Sequence, residues 1–428
     1  MFKSFIQKRL ESYVKRYFTK HPEVKLIAVA GSVGKTSTKI AIGTVLSEKY
    51  RVRLHEGNYN DILSAPLAIL GVEYPENIRS LWQWFAAFSA CRERIKEPTD
   101  VDIIVQELGS DRIGQVPHFG TYLTPDIGVV TAVSAEHMEF FKTIDAVAAE
   151  ELSVANYSKS ALINADDIDG KYASLLTNAN VNTYGTSANA EYHFDSMDYN
   201  ISDGHIGMFY APELADPMPA TIQVIGEHTL RPVVAALVIG LKLGMTTSEL
   251  ERGLGRVTPL PGRMNKLQGV NNTTVIDDTY NSSPLAAQSS LRLLYQLLVP
   301  QRIAVLGDMN ELGETSAVEH EELGKICDPT QLSWLVTVGE QSRKYLAPAA
   351  KANGCQVKSF DSALMAGAFV RGVAEEGAAI LFKGSQGGIY LEEAVKEMLH
   401  SSDDEAKLVR QSPKWMATKN KFFEKFSK

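Results

Sequence analysis

The stretch Ala28-Val29-Ala30-Gly31-Ser32-Val33-Gly34-Lys35-Thr36-Ser37-Thr38 decides how this chain is read. It follows an apolar run, residues 26–30, with the character of a buried strand, and opens a helix-like run ending near residue 49. Glycines 31 and 34 let the backbone curl so that its N–H groups point inward, and the new helix N-terminus adds partial positive charge. Such a loop holds a polyphosphate. Gly31, Ser32, Val33, Gly34, Lys35, Thr36 and Ser37 are therefore the candidate nucleotide-binding residues, with Lys35 a point charge for the outer phosphates and the Thr36 hydroxyl a ligand for a shared magnesium ion. Val29 stands where the usual phosphate-loop pattern has its first glycine.

Working outward, 428 residues are too many for one core and predict two or three domains. With 44% hydrophobic and 22% charged residues the composition is that of an ordinary globular protein. The longest clear apolar run, residues 233–241, is about half of what a membrane span needs, and the first residues lack the apolar core of a secretory signal, so a cytoplasmic location is expected. A net charge of −8 argues against nucleic acid as a partner and leaves small anionic substrates open. Cys91, Cys327 and Cys355 show no paired metal spacing and are expected to be buried or idle thiols.

Residues 1–23 place Phe2, Phe5, Ile6, Leu10, Val14 and Tyr17 at helical spacing among Lys3, Lys8, Arg9, Lys15, Arg16 and Lys20. This basic amphipathic helix is expected to pack on the protein's own body, with peripheral contact to an anionic membrane surface as the alternative. From 24 to 258, strand-like runs at 26–30, 102–106, 127–131 and 160–163 alternate with helices, the pattern of an α/β domain with a mainly parallel sheet. The aromatic-rich run 78–94 reads as a helix with a packing face, and 181–223 as added strands and turns. Pro259-Leu260-Pro261-Gly262 breaks the pattern, and a second α/β set follows over 259–400, with strands expected at 273–276, 302–306, 334–338 and 378–382. Residues 401–428 read as a terminal helix or tail.

Ligands of such sheets bind beyond the carboxyl ends of strands. Glu107 follows the strand-like run 102–106, and His137 follows 127–131, which puts both at the edge that carries the phosphate loop. Alone, each passes equally for a cap or a satisfied polar residue. Together they suit a metal held against phosphates.

The chain resembles the Mur ligase family from about residue 24 to 399. The resemblance rests on Gly31-Ser32-Val33-Gly34-Lys35-Thr36, Glu56-Gly57-Asn58-Tyr59-Asn60-Asp61 with Pro66, Glu107-Leu108-Gly109, Glu136-His137-Met138-Glu139 and Asn164-Ala165-Asp166-Asp167 in the first half. In the second half it rests on Gly262-Arg263-Met264, Asp277-Asp278-Thr279-Tyr280-Asn281, the run from Gly307 through Gly313, and Lys383-Gly384-Ser385. It implies a phosphate-loop central domain, a Rossmann-like C-terminal domain, and an ATP- and Mg2+-dependent ligase that forms an amide through an acyl phosphate. Within the family it points to the branch that adds D-alanyl-D-alanine to a peptidoglycan precursor.

Carried over by resemblance, Lys35, Glu107, His137, Arg263 and Lys383 are the expected catalytic residues. Arg263 and Asp278 are expected on the nucleotide, and Thr36, Glu107, His137 and Glu151 on metal. Asp308 is either a substrate-side residue or a strand-end cap. A Mur-type ligase acting on another carboxylate and amine is the alternative, and a non-catalytic nucleotide-binding protein is the reading from another class.

Three differences from the family pattern matter. Glu151 stands where the family usually has a carbamylated lysine, so it offers a carboxylate directly; the plain alternative is an exposed helix glutamate. In Gly226-Glu227-His228-Thr229-Leu230-Arg231-Pro232, Thr229 and Pro232 replace the two asparagines that contact adenine, which leaves adenine and guanine both open. Only about two dozen residues precede the phosphate loop, where the family has a UDP-binding domain.

Overall fold

The structure, a computed structural model, describes residues 2–55, 57 and 59–426, so that Glu56 and Asn58 of the quoted motif lie outside the described residues. The chain forms two compact units. The first comprises Met1–Ser134, Phe140–Gln223 and Leu230–Val257; the second comprises Ala135–Glu139, Val224–Thr229 and Thr258–Lys428.

In the first unit, strands β1 (Lys25–Ala30), β2 (Val52–Leu54), β3 (Ile103–Glu107), β4 (Ile127–Val130), β5 (Ser160–Asn164), β6 (Val181–Gly185), β7 (Tyr192–Asn200), β8 (Gly204–Tyr210) and β9 (Met218–Ile222) form one sheet. Its order is β2-β3-β1-β4-β5-β6-β7-β8-β9. Pairing is parallel from β2 through β7, and β7, β8 and β9 finish it as an antiparallel meander. β1 is buried at five of its six positions, as a central parallel strand covered on both faces must be. β3 and β4 flank it, so their carboxyl ends share one edge with the loop that follows Ala30.

Helix α1 (Phe2–Lys20) buries Ile6, Leu10, Val14 and Tyr17 of its expected apolar face, together with Tyr13, in the core of this unit, while Phe2 and Phe5 of that face stay exposed in the first turn. Each buried side chain contributes about 1.5–3 kcal/mol, of order 10 kcal/mol together before ordering costs. That is enough to keep the buried part of this face off a membrane. Helix α2 (Lys35–Leu46) leaves the phosphate loop, while α3 (Ser64–Leu70) and α4 (Leu81–Lys96) pack with α1. Trp84, Phe88, Cys91 and Ile95 are the buried stripe of α4, but Trp82 and Phe85 face outward, so the expected packing face takes only part of the aromatic run.

The second unit is a six-stranded sheet of β10 (Asn265–Gln268), β11 (Thr274–Asp278), β12 (Arg302–Gly307), β13 (Trp334–Val338), β14 (Val357–Phe360) and β15 (Ala379–Lys383), in the order β10-β11-β15-β12-β13-β14. All pairs are parallel except β10 with β11. The terminal stretch carries a helix, Pro413–Phe423, whose Phe423 joins the core of this unit. The three cysteines are buried and unbridged. No described helix is long and apolar enough to cross a membrane.

Candidate active site

The phosphate loop needs glycine at 31 for two reasons. Its φ is 128°, and a Cβ there would stand 2.3 Å from Thr131 Oγ1 and 2.8 Å from Thr131 N. Gly34, at φ 87°, turns the chain into α2. Thr131, just past β4, braces the loop from the side by donating to Val33 O at 2.6 Å, and Ser32 Oγ lies 2.9 Å from Ser134 Oγ. Lys35 folds back over the loop, its Nζ donating to Gly31 O and, at 3.3 Å, to Ser32 O.

Thr36 Oγ1 donates to Glu107 Oε2 at 2.9 Å, which joins the first turn of α2 to the end of β3. The other Glu107 oxygen accepts Asn60 Nδ2 at 3.0 Å. Glu107 is 3% exposed, and its charge is offset by Lys39, whose Nζ is 3.7 Å from Oε2 and donates to His55 O at 3.0 Å and Gly57 O at 3.1 Å. The sequence reading missed Lys39. The available signal was its place one turn after Lys35, on the same face of α2.

Glu151 corrects the reading of an exposed helix glutamate, for it is 2% exposed. From the helix Ile144–Tyr157 its Oε2 accepts the Gly31 N–H at 2.6 Å, and its Oε1 accepts the Ser110 hydroxyl at 2.9 Å. A carboxylate thus holds one of the loop's own donors. Its neighbour Glu150 accepts from Gly114 N and Val116 N, and burial pushes the Glu150 carboxyl above its ordinary range. Among the described residues, no group of three or more His, Cys, Asp or Glu side chains is arranged to hold a metal. Thr36 and Glu107 are nevertheless two adjacent oxygen donors of the kind that magnesium takes.

His137 falls in the second unit, in the left-handed region at φ 48°, with Nδ1 3.1 Å from Glu311 Oε2. The hydrogen bond from His137 holds the Glu311 carboxyl below its ordinary range. In the same unit the Arg263 guanidinium lies over the Tyr280 ring, 4.1 Å from its centroid.

Asp278 ends β11 directly opposite Lys383, which ends β15. Their charges meet at 2.8 Å in a buried pair, and Asp278 also accepts from Ser290 Oγ at 2.7 Å. Lys383 Nζ donates onward to Asn281 O at 2.7 Å. Asp277 is fully buried, accepts from Gly262 N and from the hydroxyl and N–H of Thr279, and is raised by burial to about 6. Asp308 accepts Ser342 N at 2.7 Å and Gln341 N at 3.2 Å, the contacts of a cap.

Pro232 stands in the first turn of the helix Leu230–Lys242, where its missing N–H costs nothing. Beside it, Arg231 joins Asp166 at 3.1 Å and Asp167 at 3.2 Å.

Comparison with known proteins gives this arrangement its relatives. Residues 29–240 match the Mur ligase middle domain, and residues 262–386 match the Mur ligase, glutamate ligase domain. The UDP-N-acetylmuramoyl-tripeptide–D-alanyl-D-alanine ligase of Bacillus subtilis is 26% identical over 396 residues, which is 88% of this chain and 76% of that enzyme. The crystal structure of MurF from Acinetobacter baumannii shares the fold at a TM-score of 0.75 and 21% identity, covering 91% of this chain and 79% of that one. MurF of Thermotoga maritima in complex with ADP does so at 0.73 and 22%, covering 91% and 83%. With the two family domains in succession and the phosphate loop at the head of the first, the chain belongs to the Mur ligase family of ATP-dependent ligases.

Proposed function

We propose that this ligase transfers the γ-phosphoryl group of ATP to the carboxylate of a UDP-muramoyl tripeptide and joins the resulting acyl phosphate to D-alanyl-D-alanine. The amine attacks the acyl carbon, inorganic phosphate leaves with the bonding pair, and the amine proton passes to solvent. ADP, phosphate and the amide are the products. The observation that carries the reading is the Thr36–Glu107 contact at the head of α2, beneath a lysine already folded over the loop.

Both steps build negative charge, so positioning and fixed positive charge are what the protein supplies. Lys35 and the loop N–H groups take the phosphates. Thr36 and Glu107 hold magnesium, which neutralises phosphate charge when bound with the nucleotide. Glu151 is assigned to the loop, as the acceptor that fixes Gly31. Arg263 and Asp278 are assigned to the nucleotide, His137 to the acyl phosphate, and Lys383 to holding the Asp278 carboxylate.

The test is phosphate release with ATP and magnesium, with and without UDP-muramoyl tripeptide plus D-alanyl-D-alanine, with mass spectrometry of the product. Joined product that requires both substrates is expected. ATP turnover without it would move the reading to a Mur-type ligase of another carboxylate, and no nucleotide binding would overturn the phosphate-loop assignment itself.

A further inference from the structure

Helix α4 has two apolar stripes, and only one is needed for its fold. Trp84, Phe88, Cys91 and Ile95 face the core, and the Trp84 indole N–H ties the preceding turn to the helix by donating to Ile78 O at 2.9 Å. On the other side Ile78, Leu81, Trp82 and Phe85 repeat at three- and four-residue spacing and lie open, Trp82 being 84% exposed. Burial of the first stripe does not require the second.

α1 extends this surface. Tyr13 meets Phe88 with ring centroids 6.0 Å apart, Lys20 Nζ donates to Lys96 O, and His21 Nε2 is 3.3 Å from Ile95 O. The two helices therefore run in the same direction, so that Phe2 and Phe5 of α1 lie toward the same end of the pair as the start of α4. Phe2 is 45% exposed and Phe5 58%. Beyond these first turns exposed bases follow, Lys8, Arg9 and Arg16 on α1 and Arg92 and Lys96 on α4, with Lys3 and Arg79 among the apolar residues in sequence, while Lys15 lies on the side of α1 toward Tyr122 and Asp126. α1 carries six basic residues against one acid, Glu11, on a chain whose net charge is −8. The exposed acids nearby are Glu73 and Glu76 before α4, Glu93 on it, Glu97 and Asp100 after it, and Glu23 after α1, with Asp100 paired to Arg53 and Arg94.

We propose that the α1–α4 face docks on an anionic lipid surface, with Trp82, Phe85, Leu81, Ile78, Phe2 and Phe5 entering the interface and the basic turns lying at headgroup level. The basic excess of α1 chooses this occupant. A second copy of the chain would set one basic flank against another, whereas an anionic bilayer takes the aromatic tip and the basic rim together. The surface differs from the inward face of α1, which is committed to the core, and the proposal is independent of the substrate assigned above.

The test uses the full chain and sedimentation with phosphatidylcholine vesicles, with and without phosphatidylglycerol. Binding to the mixed vesicles is expected, weakened by salt and by omission of phosphatidylglycerol, and reduced about tenfold or more in Trp82→Ser/Phe85→Ser. Both substituted side chains are exposed, so unchanged thermal melting will show that the fold is kept. No sedimentation of the wild type, or equal sedimentation of the variant, would overturn the proposal. A dimer in light scattering that the same variant abolishes, without vesicle binding, would overturn it in favour of a second copy.

Discussion

The Glu151 carboxylate provides a graded test of the phosphate loop. Glu151→Ala leaves the Gly31 N–H and the Ser110 hydroxyl without their acceptor in a buried place. Each stranded donor costs about 1–3 kcal/mol, and with the space left behind the total is roughly 3–6 kcal/mol. Glu151→Gln keeps the volume: its carbonyl accepts from Gly31 while its amide donates to Ser110 Oγ. Only the charge assistance is lost, which costs about 1–2 kcal/mol. At roughly 2–4 °C per kcal/mol for a unit of this size, thermal melting should fall by about 6–24 °C for alanine and about 2–8 °C for glutamine.

Melting of both variants with the wild type would refute the loop-bracing role. Titration with ATP then separates bracing from metal binding. If Glu151 only braces the loop, Glu151→Gln binds Mg·ATP within about threefold of wild type and metal-free ATP more tightly, because a negative charge has left the loop. If it ligates metal, Mg·ATP affinity falls about tenfold or more.

Lys35→Ala should lower turnover at least about a hundredfold, since the fixed charge over the phosphates goes, while melting stays within a few degrees because a half-buried side chain at the loop's mouth is removed and no core packing is lost. Lys383→Met leaves Asp278 as a buried charge without its counter-ion and should cost about 3–5 kcal/mol, read as lost melting temperature; Asp278→Leu in the same chain should restore part of it. Asp277 binds its proton more tightly folded than unfolded, with a folded value of about 6 against an ordinary 3.8. Its contribution to stability is therefore fullest below about pH 4 and is lost as pH rises through 6. The difference in melting between wild type and Asp277→Asn, followed from pH 4 to 8, should change across that window and be flat above it.

The sheets were legible where strands are continuous apolar runs, because a central parallel strand is covered on both faces and shows it. β10 and β14 were not, since edge strands such as Asn-Lys-Leu-Gln and Val-Lys-Ser-Phe owe their conformation to a neighbour rather than to their own composition. The phosphate loop was readable from glycine spacing, and Glu107 from its place at a strand end. Glu151 was singled out only through the family resemblance, and its burial was not readable at all, for it depends on a loop 120 residues away in sequence. The aromatic run of α4 showed a helix but not its sides: Trp82 and Trp84 differ by two positions, and that alone sends one outward and the other into the core.

The two sheets share a device. In each, an acidic residue ending a parallel strand is buried and faced by a lysine: Glu107 by Lys39 at 3.7 Å in the first unit, and Asp278 by Lys383 at 2.8 Å in the second. Neither pair is a good way to gain stability, because desolvating two charges offsets most of their attraction and well-packed apolar residues do as well. Their hydrogen bonds instead reach chain that leaves the sheet, His55 and Gly57 in one unit and Asn281 in the other. Loops at the carboxyl edge of a parallel sheet have little apolar surface with which to fix themselves. A buried lysine with three donors can hold a carboxylate and several loop carbonyls at once. The stability forgone at these pairs is thus exchanged for backbone held in place where an α/β sheet binds its ligands.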